Sequence, residues 1–219
     1  MHVVYQLNDG TAFCITNGQT LFLDVAKNRY FSLSPSLDAV FQRLITENSV
    51  DRLSSDDRQR LERAGVFSAE QTCSSITRLE IQPAQQELCL DEPSPGFGMT
   101  SCIFTQAMVS MRTHRKTLAW LPRSLQRRRM TMKSECPAFS WTSIARAFSA
   151  SAPLRPRADH CLTSSIAFLY AGLAKNLDAQ LVFGVHSAPF TAHCWVQSNA
   201  TVLNDRLEKV KTFTPILVL

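Results

Sequence analysis

Apolar and polar residues alternate in four short runs at the start of the chain, and turn-forming residues separate the runs. Val3–Leu7 ends at Asn8-Asp9-Gly10 and Ala12–Thr16 ends at Asn17-Gly18. Thr20–Val25 stops before Lys27-Asn28, after which Arg29–Leu33 resumes the alternation. Period-two runs joined by Asx-Gly pairs predict a β-meander. At Ser34-Pro35 the period changes. Leu37, Val40, Phe41, Leu44 and Ile45 recur at helical spacing, with Ser34 as N-cap and Pro35 at the first helical position. A second helix is expected from a Ser54 or Ser55 cap to Ala64, closed by Gly65. The first 80 or so residues thus read β-β-β-α-α, the outline of a small winged-helix-like module.

Residues 84–100 hold prolines and glycines in close succession and read as a linker between a module at 1–83 and a second domain at 101–219. Residues 101–148 carry apolar groups at helical intervals, with a break expected at Leu121-Pro122. Residues 151–157 are irregular. From Cys161 the pattern sharpens. Leu162, Ile166, Leu169, Tyr170, Leu173 and Leu177 form the apolar side of an amphipathic helix. Three strands follow a turn at 176–180, in the segments AQLVFGV, FTAHCWVQ and TVLND. The fold class is therefore α+β.

Composition narrows the setting. No apolar run nears the ~18 residues of a membrane span, and the N-terminus lacks the charged-then-apolar pattern of an export signal. Seven scattered cysteines without a CxxC pair argue against a disulfide framework and suit a reducing cytoplasm. The net charge of +5 is uneven: residues 1–83 hold 8 Lys/Arg against 10 Asp/Glu, and 84–219 hold 15 against 8. The densest stretch, Arg112–Lys133, has eight Lys/Arg and no acid. It reads as a solvated helix face, or else as a docking surface for an acidic partner or a phosphate-bearing ligand. No nucleic-acid-binding motif accompanies it.

Chemistry concentrates in the last third. Cys161 opens a helix, where free N–H groups and partial positive charge favour a thiolate and can stabilise an oxyanion. His193 and Asp205 are symmetric about Asn199. A hairpin with Ser198-Asn199-Ala200 as its loop would set them opposite each other, with Cβ atoms roughly 4.5–5.5 Å apart. A carboxylate so placed holds an imidazole in one tautomer while the other ring nitrogen meets a thiol. Cys161 is therefore the candidate nucleophile, His193 the base and Asp205 the orienter, an assignment that a one-residue register slip would undo. The same parity sends Cys194 into the core. No metal site is expected from the His160-Cys161 and His193-Cys194 doublets, because adjacent residues seldom ligate one ion and on a strand they face opposite ways. Each residue taken singly also has a plainer reading: a small buried hydrophobe, a structural histidine, a turn aspartate.

The stretch RPRADHCLTSSIAFLYAGL, with AQLVFGV, PFTAHCWVQ and VLND after it, resembles the B proteins of lasso-peptide biosynthesis, which are transglutaminase-like, papain-related cysteine peptidases. Order and spacing agree: 32 residues from Cys161 to His193 and 12 from there to Asp205. The family motif around the base is approximately AHAWV, and here it is AHCWV. YQLNDGTAFCITNGQTLFLDVAKNRYFSLSP, with LSSDDRQRLERAGVF later, is similar to the PqqD-like recognition element fused to such proteins. The resemblance covers 1–80 and 153–206. It implies a papain/transglutaminase-like second domain and a leader peptidase for a ribosomal precursor peptide, with the leader bound as an added strand. The groove is expected at Leu21, Leu23, Val25 and Phe41, residues that serve equally well as core. A partner cyclase similar to asparagine synthetase is implied. ATP is expected to act there or through the complex, since this chain has no GxxxxGK[ST] loop and calls for no cofactor of its own. Residues 153–160 contain no Gln or Asn to act as oxyanion donor. The Cys161 N–H is the donor expected, with Gln106 as a side chain that could come round. Competing readings are an acyltransferase using the same three residues and a non-catalytic module that presents the precursor.

Overall fold

A computed structural model describes residues 2–7, 10–47, 53–66, 76–90, 98–115, 117–133, 139–151 and 161–219. The first expected turn at Asn8-Asp9, residues 91–97 of the expected linker, the irregular stretch 152–157 and His160 lie outside these.

The alternating runs form β1 (His2–Gln6), β2 (Thr11–Thr16), β3 (Gln19–Asp24) and β4 (Arg29–Ser32), and β5 (Thr77–Ile81) joins them. The sheet order is β4-β3-β2-β1-β5, antiparallel throughout. Asn17 (φ 49°) and Gly18 (φ 75°) are both left-handed, as the two-residue turn between Thr16 and Gln19 requires. The module has five strands rather than three: Arg29–Ser32 is an edge strand in its own right, and Thr77–Ile81 closes the other edge. Thr77–Ile81 has only two apolar residues, too few for a periodic signal, and the open side of β1 recruits it.

Two helices, α1 (Pro35–Glu47) and α2 (Ser55–Ala64), cover one face of this sheet. The Ser54 hydroxyl accepts the Asp57 N–H at 3.1 Å, and Gly65 (φ 83°) ends α2 with bonds to the last-turn carbonyls. Phe13, Phe22 and Phe41 interlock between sheet and helices, with ring centroids 5.0–5.6 Å apart. On the sheet's other face Ala12, Cys14, Leu21, Leu23 and Val25 join a larger core shared with the second half of the chain. Leu21, Leu23, Val25 and Phe41 are thus all buried. β3 is hydrogen-bonded on both sides, so the meander's outer edge is β4.

The second half comprises β6 (Gln86–Glu87), α3 (Met99–Arg115), α4 (Leu121–Met130), α5 (Trp141–Ser151), α6 (Cys161–Leu173), β7 (Gln180–Ser187), β8 (Phe190–Ser198), β9 (Thr201–Val202), α7 (Leu207–Val210) and β10 (Thr214–Val218). Its sheet runs β10-β7-β8-β9-β6, with β6 parallel to β9. The segment read as a linker therefore contributes a strand. Pro122 falls in the first turn of α4, where its missing N–H costs nothing.

Helix α6 departs from the amphipathic expectation, for every residue from Ser165 to Leu173 is buried. It runs between the second sheet and α3, α4 and α5, so no side faces water. Small residues make this packing possible. A Cβ on Gly172 would stand 2.1 Å from the Trp141 ring, which itself stacks on Phe168 at 5.3 Å. The basic stretch is partly spent on the same helix and its turn. Arg128 lies 4.0 Å from the Tyr170 ring centroid, and Arg129 binds Asp178 at 2.9 Å and the Ala179 carbonyl at 2.8 Å. No helix among the described residues is long and apolar enough to cross a membrane.

Gly172→Ala is expected to lower stability by about 1–3 kcal/mol through overpacking against Trp141. Urea denaturation measures it, and an unchanged midpoint would mean that the indole moves aside freely.

Candidate active site

Strand β8 is paired with β7 along its whole length, but β9 covers only its far end. The β8–β9 ladder consists of Gln197↔Val202 and Ser198↔Thr201. The turn is the two-residue Asn199-Ala200, with Asn199 left-handed at φ 51°. This register is one residue away from that expected with a three-residue loop. Continued regularly, it would set Asp205 opposite Cys194 rather than His193. Regular pairing stops at Val202, however, and the chain bends through 203–205. That bend, not cross-strand opposition, brings Asp205 to His193.

The missing strand leaves backbone groups of β8 to be satisfied, since a buried unpaired amide or carbonyl costs about as much as a lost hydrogen bond. Leu203 donates to the Val196 carbonyl at 2.9 Å, and the Asn204 side chain accepts the Val196 N–H at 2.7 Å. The Ser165 hydroxyl donates to the Cys194 carbonyl at 2.9 Å and accepts from the Asn204 amide at 2.8 Å. The Cys194 amide lies where it favours negative charge on the Cys161 sulfur. Asn204 and Ser165 thus replace a strand, and they tie the start of α6 to β8.

The structure brings Cys161, His193 and Asp205 together. Cys161 is exposed at the first position of α6, with the His193 imidazole close enough to stabilise its thiolate. His193 Nε2 meets Asp205 Oδ2 at 2.5 Å, which leaves Nδ1 for the sulfur. Asp205 also accepts the Arg206 N–H at 2.8 Å and the Lys209 ammonium at 3.2 Å. Partial burial raises the Cys161 pKa. The His193 hydrogen bond and charge, with the Cys194 and Leu162 amides, more than offset it, so the thiol lies below its ordinary value. For His193, burial and the Lys209 charge lower the pKa, but hydrogen bonds to Asp205 and Cys161 win and it rises. For Asp205, burial raises the pKa, yet His193, the Arg206 amide and Lys209 bring it below the usual carboxylate range. All three shifts favour one charge state: thiolate, imidazolium, carboxylate.

The imidazole is also held by packing. Its ring lies 5.1 Å from Phe213 and 6.2 Å from Trp195, nearly parallel to the latter. Gly184, opposite His193 in the β7–β8 register, leaves room for both: a Cβ there would sit 2.6 Å from the indole and 2.9 Å from Phe213 Cβ. Cys194 is buried on the opposite face, and burial drives its pKa well above the ordinary value. Gln106 is buried and donates to the Ser151 hydroxyl at 3.4 Å, so its amide is engaged in helix packing. Sequence reasoning missed Asn204, Ser165 and Gly184. Asn204 beside Asp205 looks like half of a turn pair, and neither a helical serine nor a strand glycine has spacing that signals such a role.

Removing the imidazole leaves burial as the main influence on the thiol. His193→Ala should therefore move the pH midpoint of Cys161 alkylation by iodoacetamide upward, past the ordinary thiol value, and slow the reaction at pH 6.5 by about tenfold or more. Asp205→Asn should shift it the same way by less. Peptide mass spectrometry at Cys161 reads the rate, and a midpoint unmoved in His193→Ala would refute the ion pair.

A stretch of 45 residues, 20% of this chain, is 44% identical to the microcin J25-processing protein McjB of Escherichia coli, and it spans 22% of that protein's length. No solved structure matches the chain. Residues 107–218, just over half of the sequence, match the transglutaminase-like superfamily and include Cys161, His193 and Asp205. The chain belongs to the transglutaminase-like superfamily.

Proposed function

We propose that this chain is a cysteine peptidase that cuts the leader from a ribosomally made precursor during lasso-peptide maturation. The observation that carries this reading is an exposed cysteine at a helix start, brought together with an imidazole that a carboxylate holds. The partial match to a protein named for processing microcin J25 supports the peptide class.

In the proposed reaction the Cys161 thiolate attacks the scissile carbonyl, forming a C–S bond and an oxyanion. Free N–H groups at the start of α6, that of Cys161 first, are the donors available to it. The intermediate collapses as the C–N bond breaks. His193 gives its Nδ1 proton to the departing amine, while Asp205 holds Nε2 and offsets the imidazolium charge. Neutral His193 then takes a proton from water, whose oxygen attacks the thioester and releases the acid and Cys161. No cofactor enters these steps. The N-terminal module is proposed to act as a PqqD-like recognition element, with the leader added as a strand along β4. An asparagine-synthetase-like cyclase, consuming ATP, would act on the freed core amine. Acyl transfer is the second reading, because an amine in place of water would capture the same thioester.

With the full chain and a synthetic lasso-precursor peptide, wild type should yield free leader and core. Cys161→Ala should abolish cleavage while leaving leader affinity within about twofold, since the thiol lies outside the binding strand. Processing undiminished in Cys161→Ala would sink the peptidase reading, and a new amide linkage in the wild-type product would favour transfer.

A further inference from the structure

One aromatic residue of the N-terminal sheet turns towards the second half of the chain rather than its own module. Side chains of β4 alternate: Phe31 turns towards the α1 aromatic core and stacks on Phe22 at 4.9 Å, while Tyr30 points the other way. Tyr30 pairs with Leu23 in the sheet, packs against the larger core and meets the Phe190 ring at 5.5 Å. Phe190 begins the strand that carries His193 and is half exposed. Two side-chain bonds fix the sheets against each other nearby, Asn17 to Ser187 at 2.7 Å and Thr214 to Thr16 at 3.2 Å. Tyr30 lies within electrostatic reach of the Cys161, Cys194 and Cys14 thiols. No hydrogen bond from its hydroxyl to a described residue is seen, and the hydroxyl is not among the fully buried unpaired polar atoms, so it is open to an incoming acceptor. Burial, with the neighbouring thiols, pushes the phenol well above its ordinary value, so it remains a donor wherever the Cys161 thiolate exists.

We propose that Tyr30 contacts the substrate directly, its O–H donating to the backbone of the peptide where it passes from the β4 edge to Cys161, with Phe190 as the adjoining wall. This rests on the leader-peptidase reading above. Strand addition beside β4 would set the peptide alongside Tyr30, and the aromatic pair bridges that strand to β8, which carries His193. The N-terminal sheet then does more than capture the leader, for it also supplies part of the reaction's geometry.

Tyr30→Phe keeps the ring and its packing on Phe190 and removes only the donor. The test compares full-length wild type and Tyr30→Phe in three measurements: affinity for a fluorescent synthetic leader, single-turnover cleavage of the synthetic precursor, and alkylation of Cys161 by iodoacetamide. The expected result is a cleavage rate lowered at least about tenfold, as misplacement of a reacting group produces. Leader affinity and alkylation should each stay within about twofold of wild type. Cleavage at the wild-type rate would overturn the proposal. So would a matching loss of leader affinity, or slowed alkylation, because Tyr30 would then act on the sheet or on the thiol instead. Failure of the wild type to cleave while Cys161 alkylates normally would overturn the peptidase reading itself, and this contact with it.

Discussion

The half-covered edge of β8 is the constraint from which the site follows. A β-strand in a folded interior must have its amides and carbonyls paired, and β9 supplies partners only as far as Val202. The groups at Cys194 and Val196 then turn to other elements. The Asn204 side chain and the Ser165 hydroxyl answer them. Each of these bonds also positions something chemical. Asn204 fixes the bend that carries Asp205, Ser165 fixes the first turns of α6, and the Cys194 amide lowers the pKa of the thiol it meets. Had β9 run three residues further, the ladder would be complete and Asp205 would face Cys194.

Burial opposes ionisation at all three residues of the site, and local partners reverse it at each. The contrast with the other thiols isolates the cause. Burial alone pushes Cys14 up to about 12, and it also drives Cys194 upward beside a serine hydroxyl. Cys161 differs in its cationic neighbour and in two backbone amides aimed at its sulfur. Desolvation by itself would have made all three inert hydrophobes. Lys209 tunes the pair from outside, lowering Asp205 while restraining the rise of His193.

The two sheets share one continuous core, with Ala12, Cys14, Leu21 and Leu23 packed among residues of α6, β7 and β10. This burial commits the inner face of the meander to packing. Its outer edge, β4, is left unpaired by any described strand, and Tyr30 on that strand packs against Phe190 of β8.

Local patterns fixed much of this from the sequence alone. Alternation and Asx-Gly pairs determined the meander, Ser54 and Gly65 bounded α2, and the change of period placed Cys161 at a helix start, because backbone preference and nearest-neighbour sterics govern each of these. The residues brought together at the site were legible too, though the stated reason for His193 and Asp205 was not. Their meeting depends on a bend that pairing register does not encode. Only the tertiary structure decided that α6 is buried on every side, that 77–81 and 86–87 are strands, and that Leu21, Leu23, Val25 and Phe41 are core. It also decided the parts played by Asn204, Ser165 and Gly184. Short or isolated residues of this kind carry no periodic signal, and their roles arise from partners far away in the chain, as Ser165 takes its meaning from Cys194 and Asn204.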